Sequence, residues 1–407
     1  MLALVLSGGG ARGAYEVGVL RYVFGELAPR IGPSALPRLF CGTSVGAINA
    51  CAMAAHAKDL AAGLRRLEQR WSSLELRQVV RRSWGDLAGL ARWLIGSGAP
   101  EGPQSILDPA PLAELVRGDI PWRALRENVA SGAVAGVTVS ATDVETGNTV
   151  IFVEARDTFA PITHDPTLEW AFARLTPQHA LASAAIPFVF PPVRVAGRLF
   201  TDGSLRQNTP LTPALRLGAE RVLVIGLRAS HRMRALRHRQ AAADRQAISS
   251  PLFLFGKVLD ALLLDRVEND LASLRRINAA LQAYGQARGQ LPEPASLAVA
   301  ALQHHPVAVA VEAAGGVLRQ VRDLFLQPSQ DLGELATHML SRPSVKARLE
   351  GPAGYLLRRM GESASAEAPS DTLSYLLFDG EYARELIALG ESDARAIAPQ
   401  LEEFLAA

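Results

Sequence analysis

Short apolar runs punctuate this chain, and they predict its strands. Residues 2–6, the trio Leu39-Phe40-Cys41 and residues 222–227 are almost wholly apolar, the pattern of strands covered on both faces, as in a parallel sheet. The first two run into helical spacing: Tyr15, Val19, Tyr22 and Val23 after one, a small-residue stretch over 45–52 after the other. Residues 133–142 and 149–153 alternate Val with smaller or polar residues about Asp143-Val144-Glu145-Thr146-Gly147-Asn148 and predict a hairpin. Thr176-Pro177 opens a helix with a cap and a first-turn proline, and Ile186-Pro187 stops it. A short strand, 198–201, ends in Asp202-Gly203-Ser204, and residues 215–219 close a helix.

Beyond residue 227 the pattern changes. Arg228, Arg232, Arg234, Arg237 and Arg239 crowd a helical stretch that reads as a solvated face. Residues 252–255 and 258–264 predict a strongly apolar helix. Helical spacing continues to Gln320, one further strand covers 323–328, residues 362–371 form a polar loop, and the tail from Tyr382 is helical. The expected organisation is a first domain over 1–227, a helical insertion over 228–321, and a C-terminal strand with helices over 322–407 that close on the first domain.

Composition narrows the class. The 407 residues are 49% hydrophobic and 20% charged, with 42 basic against 40 acidic side chains. That is a globular chain without the basic excess a nucleic-acid binder carries. Cys41 and Cys51, the only cysteines, flank one motif in apolar segments and read as reduced and buried. No cluster has metal-ligand spacing, and no cofactor is expected. The amino-terminal run is too short, and lacks the basic flank, for a signal peptide, so a cytoplasmic location is expected. No stretch reaches about 18 uninterrupted apolar residues. The nearest, 295–302, is broken by Gln303-His304-His305-Pro306, so membrane contact is expected to be peripheral.

Two glycine motifs carry the chemistry. Ser7-Gly8-Gly9-Gly10-Ala11-Arg12-Gly13 joins the first strand to its helix and can offer successive backbone N–H groups to an anion. A dinucleotide would want an acid at the end of the second strand, and a P-loop a lysine where Ala14 stands. The second strand instead ends in Cys41-Gly42-Thr43-Ser44-Val45-Gly46, a nucleophile elbow in which Gly42 and Gly46 leave room for a strained serine. Parallel strands would put both loops at one sheet edge, where a serine that creates an oxyanion meets the loop that would hold it. Asp202 stands where a general base is wanted, with Gly203 freeing the backbone. Asp143 is assigned to turn chemistry. Arg70-Trp71, Arg81-Arg82, Trp84 and Arg92-Trp93 mark either a lid or membrane-facing surface or an amphipathic cover over the sheet. Phe188-Val189-Phe190-Pro191-Pro192 would line an acyl pocket or simply pack.

Only one strand precedes the elbow strand, unlike an α/β-hydrolase, so a Ser-Asp-His order is not favoured. His231, His238, His304, His305 and His338 lie in stretches without a motif, and His179 reads as a helix surface or core residue. The four signals Gly8 to Gly13, Gly42 to Gly46, Ala182-Ser183-Ala184-Ala185-Ile186-Pro187 and Asp202-Gly203, in this order, resemble the patatin-like phospholipases over about residues 1–227. That resemblance implies an α/β fold of three α/β/α layers with a mostly parallel central sheet, here with a helical C-terminal extension. It implies a Ser–Asp dyad, with Ser44 as nucleophile and Asp202 as base. The oxyanion hole would be formed by Gly8, Gly9, Gly10, Ala11, Arg12 and Gly13, with Gly42, Gly46 and Gly203 in support and no metal. Ser204 departs from the Gly or Ala more usual there. The implied activity is lipid acyl hydrolysis, of phospholipase A or lysophospholipase type, on a phospholipid or other fatty-acyl ester. Acyl transfer on the same dyad, a non-catalytic lipid-binding scaffold, and homo-oligomerisation stay open.

Overall fold

The computed structural model describes residues 1–79, 108–156, 165–187, 189–229, 267–287, 320–362 and 371–406. The apolar stretches over 252–264 and 295–302, the polar loop over 363–370, Phe188, and Arg81, Arg82, Trp84, Arg92 and Trp93 lie outside the described residues, as do His231, His238, His304 and His305.

The strands are β1 (Leu2–Leu6), β2 (Leu39–Thr43), β3 (Gly136–Asp143), β4 (Thr149–Ala155), β5 (Leu168–Phe172), β6 (Val193–Val195), β7 (Arg198–Asp202), β8 (Arg221–Ile225) and β9 (Arg322–Leu326). They form one sheet, seven of them in the order β5-β4-β3-β2-β1-β8-β9, with β7 paired to β3 and β6 to β7. The run β3-β2-β1-β8-β9 is parallel, and β4 turns back antiparallel on β3 as the hairpin pattern predicts. β5 and β6 were not expected from the sequence. Each is short and only partly buried, so neither carries a continuous apolar signal.

Apolar residues on both faces of β1 have a simple cause. Leu2, Leu4 and Leu6 pack into one core with Phe40, Leu223 and Ile225, whereas Ala3 and Val5 join Leu39, Cys41, Val222 and Val224 in a second core on the opposite face. Helices cover both: α1 (Gly13–Leu20) and α2 (Val45–Ala55) on the first, and the helices Leu211–Arg216 and Val267–Ala287 on the second. The result is three α/β/α layers. Cys41 and Cys51 are free and buried, and burial pushes the Cys41 thiol up to about 12. Among the described residues no helix is long and apolar enough to cross a membrane.

Two features place the site. β1 and β2 are parallel, in register from Ala3 opposite Leu39 to Leu6 opposite Gly42, so the loops that follow them leave the same sheet edge. β7 then pairs antiparallel with the last residues of β3, Asp202 opposite Ala141, immediately past the point where β2 pairs Thr43 with Ser140. β2 and β7 thus occupy the same side of β3 end to end, and their tips meet.

Helix α3 (Leu60–Ser72) and helix α4 (Ala110–Asp119) stand beside α2. Helix α5 (Pro177–Ser183) is the capped helix expected from Thr176-Pro177: the Thr176 hydroxyl and His179 complete a reciprocal capping box, which buries His179. At the C-terminus, α6 (Asp371–Leu376) abuts the loop after β1, and α7 (Gly380–Ala396) lies along α1.

Candidate active site

Ser44 is the hinge of the elbow. It adopts φ 54° and ψ −126° between β2 and α2, in the left-handed half of backbone space that a side chain normally avoids. Such strain persists only where surrounding contacts impose it. Here a Cβ on Gly46 would run into the carbonyl oxygens of Leu6 and Ser7, and one on Gly42 into the backbone of Gly46 and Ala47. The turn can therefore be this tight only with both glycines. Ser183 fixes it from the other side: the Ser44 N–H donates to Ser183 Oγ at 2.8 Å, and that hydroxyl donates to the Ser140 carbonyl at 2.6 Å, all buried. The sequence flagged Ser183 inside a motif without assigning it this role. Ser183→Ala leaves the Ser44 amide without an acceptor, and chemical denaturation should show a loss of about 1–3 kcal/mol, the cost of a buried unsatisfied donor.

Asp202 ends β7 against that serine. Ser44 Oγ donates to Asp202 Oδ2 at 2.7 Å, and the Ser204 N–H donates to Oδ1 at 2.7 Å. The Asp202 backbone is clamped as well, its N–H donating to the Ala185 carbonyl and its carbonyl accepting from the Thr142 hydroxyl, each at 2.9 Å. Gly203 follows against the Ser140 carbonyl, where a Cβ would collide. Burial raises the carboxyl to about 6, and the hydrogen bonds from Ser44 and from the Ser204 amide and hydroxyl pull the other way. Ser204, the departure noted in the sequence, thus steadies the Asp202 carboxylate. Asp143 takes the turn role expected of it: Oδ1 accepts from the N–H groups of Glu145 and Thr146, and Oδ2 pairs with Arg198. Among the described residues no histidine hydrogen-bonds Ser44 or Asp202. His179 is held in its cap, where burial lowers it to about 4, and His338 is exposed on a separate helix.

The loop over Gly8 to Gly13 lies directly over Ser44, so close that a Cβ on Gly8 would touch the Ser44 side chain at 3.1 Å. Its amides divide into two sets. The Gly8 N–H donates to the Asn208 carbonyl and the Arg12 N–H to the Gly9 carbonyl, whereas among the described residues the N–H groups of Gly9, Gly10 and Ala11 meet no acceptor. The Arg12 side chain does not turn toward Ser44. Its guanidinium is buried against Ser374, Tyr375 and the Leu227 carbonyl.

From Ser44 a cavity of about 370 Å³ runs along α2 between α3 and α4. Ser44, Ile48, Ala52 and His56 line it, four residues apart on one helix face. Leu67, Trp71, Leu112, Leu115, Val116, Ile186 and Phe190 add apolar wall. Trp71 is turned inward and donates to Asn49 Oδ1, and Arg70 pairs with Asp119 at the rim. The described part of the Arg/Trp-rich segment is therefore a cavity wall. Among the described residues no group of His, Cys, Asp and Glu is arranged to hold a metal ion.

A model of the patatin-like phospholipase family matches residues 4–215. No curated protein matches the chain. Among solved structures, the crystal structure of VipD from Legionella pneumophila aligns at 12% identity over 97% of this chain and 92% of that one, with a TM-score of 0.26, too low a structural likeness to carry an argument.

Proposed function

Because the chain belongs to the patatin-like phospholipase family, and the matched segment holds both Ser44 and Asp202, we propose that it hydrolyses fatty-acyl esters of lipids through a Ser44–Asp202 dyad. The observation that carries this reading is the 2.7 Å hydrogen bond from Ser44 Oγ to a buried Asp202 carboxylate at one end of an apolar cavity. Asp202 takes the hydroxyl proton as Ser44 Oγ attacks the acyl carbonyl, and the N–H groups of Gly9, Gly10 and Ala11 receive the developing oxyanion. Collapse breaks the ester bond and the proton on Asp202 passes to the departing alkoxide, which leaves an acyl-Ser44 ester and a free alcohol. A water that gives its proton to Asp202 then attacks the acyl carbonyl, and the second collapse returns the proton to Ser44 and frees the fatty acid. The substrate is a phospholipid or lysophospholipid ester met at a lipid surface, with peripheral contact.

Free fatty acid released from phosphatidylcholine vesicles tests the reading. With a primary alcohol added, the acid should remain the main product. An alkyl ester as main product would replace hydrolysis by acyl transfer, and neither product would overturn the reading.

The cavity also predicts chain-length preference. At about 1.5 Å rise per residue, Ala52 lies roughly 12 Å and His56 roughly 18 Å along the helix from Ser44. An extended chain gains about 1.2 Å per bond, so the cavity takes roughly 14 carbons and Ala52 sits beside the tenth. Ala52→Phe should therefore cut p-nitrophenyl palmitate hydrolysis at least about tenfold, about 1.4 kcal/mol in the barrier, and leave the butyrate ester nearly unaffected. Equal loss on both esters would show that the chain does not follow this face.

A further inference from the structure

The oxyanion loop is held from a direction the family match does not cover. Arg12 closes that loop, yet its guanidinium lines no part of the cavity. It is 3% exposed; Nε donates to Ser374 Oγ at 2.8 Å, Nη1 donates to the Leu227 carbonyl at 3.3 Å, and the charge sits 3.8 Å from the centroid of the Tyr375 ring. Ser374 and Tyr375 belong to α6, far outside residues 4–215, and are themselves buried. Gly10, at φ 57°, lies so close to the Tyr375 carbonyl that a Cβ there would collide with it. Two residues after α6, Phe378 enters the cavity wall. Helix α7 then packs backbone to backbone on α1, Gly18 against the Ile387 carbonyl and Gly390 against the Tyr15 carbonyl, with the Tyr15 hydroxyl donating to Asp393 at 3.0 Å.

We propose that Arg12 is a positioning residue that latches the oxyanion loop to α6, so that the C-terminal helices set the geometry of an oxyanion hole formed by residues near the N-terminus. This rests on the esterase reading above for its kinetic consequence only. A buried guanidinium is costly unless its donors and its face are engaged. Here one donor and the face are engaged by a segment more than 350 residues away in sequence, and a second donor by the Leu227 carbonyl. The N–H groups of Gly9, Gly10 and Ala11 immediately precede Arg12 in a loop rich in glycine, which has little stiffness of its own. Releasing the guanidinium lets those amides drift from the direction in which an oxyanion forms, a misplacement that acts on the transition state rather than on substrate binding.

The test compares Tyr375→Leu, which removes the ring, with Tyr375→Phe, which keeps it, and with Ser374→Ala as a milder deletion. The measurements are kcat and KM on p-nitrophenyl butyrate and hydrogen exchange of the amides over residues 8–13. Tyr375→Leu should lower kcat about tenfold or more with KM within about twofold, and speed exchange in the loop while α2 keeps its protection. Tyr375→Phe should restore most of the rate, and Ser374→Ala should show the same signature more weakly even if the Leu variant fails to fold. Unchanged exchange with unchanged kcat overturns the latch. A raised KM with kcat intact also overturns it, since the loss would then be in substrate binding. If the wild-type chain hydrolyses no ester, the exchange arm still decides: faster loop exchange upholds the latch and leaves only the esterase reading refuted.

Discussion

Ser44→Ala is expected to abolish ester hydrolysis, with kcat/KM falling by about 10⁴-fold or more, the scale on which serine hydrolases lose activity when the nucleophile is removed. Among the described residues, the two neighbouring serines are already engaged. Ser183 is committed between the Ser44 amide and the Ser140 carbonyl, and Ser204 serves the Asp202 carboxylate. A fluorophosphonate probe should form one adduct on the wild-type chain, on Ser44, and none on the variant. The elbow itself should survive, because the contacts of Gly42, Gly46 and Ser183 that impose φ 54° remain in place. An unchanged rate in a folded Ser44→Ala protein would remove Ser44 from the mechanism, and an adduct on a different residue would move the site.

Asp202→Asn is expected to cost about 10³-fold to 10⁴-fold in kcat, because the amide cannot accept the Ser44 proton, while KM changes little. Wild-type activity should rise with pH through an apparent value near 6 and level off above it, since only ionised Asp202 is a base. Stability should run the other way. The folded carboxyl, raised to about 6, holds its proton more tightly than the unfolded one near 3.9. Asp202 therefore costs nothing below about pH 4. Stability is lost as pH rises from there through 6, and a penalty of about 3 kcal/mol remains above it. Removing the charge should make Asp202→Asn more resistant to thermal unfolding than the wild type at pH 8, the difference closing near pH 4. A variant that keeps full activity would return the base role to another group. One that is no more stable at pH 8 would mean that burial does not strain this carboxylate.

How far the molecule was legible differs from element to element. β1, β2 and β8 are plain because a strand buried on both faces is apolar at most positions, whereas β9, part-exposed at the sheet edge, shows only the short run Leu324-Phe325-Leu326. The elbow and the glycine loop were plain for another local reason: tight turns between strand and helix exclude side chains from fixed positions, and glycine marks them. The sequence leaves His179 between core and surface, because nothing in its neighbours reveals a reciprocal cap with Thr176 until the helix exists. The Arg/Trp pattern was open between lid and cover, and in the described part Trp71 faces the cavity because α2 offers Asn49 as an acceptor there.

By itself, then, the sequence determined the strands other than β5 and β6, the two glycine turns at one sheet edge, the candidate pair Ser44 and Asp202, and the family. These depend on sterics between neighbours along the chain, which the chain writes locally. Only the tertiary structure decided that β7 meets the tip of β2 along β3 and so brings Asp202 to 2.7 Å from Ser44. It alone also decided that a helix face of roughly 18 Å becomes a cavity wall, and that Arg12 turns away from the serine to stack on Tyr375. Those outcomes depend on which surfaces meet across hundreds of residues, and burial, not spacing, selects them.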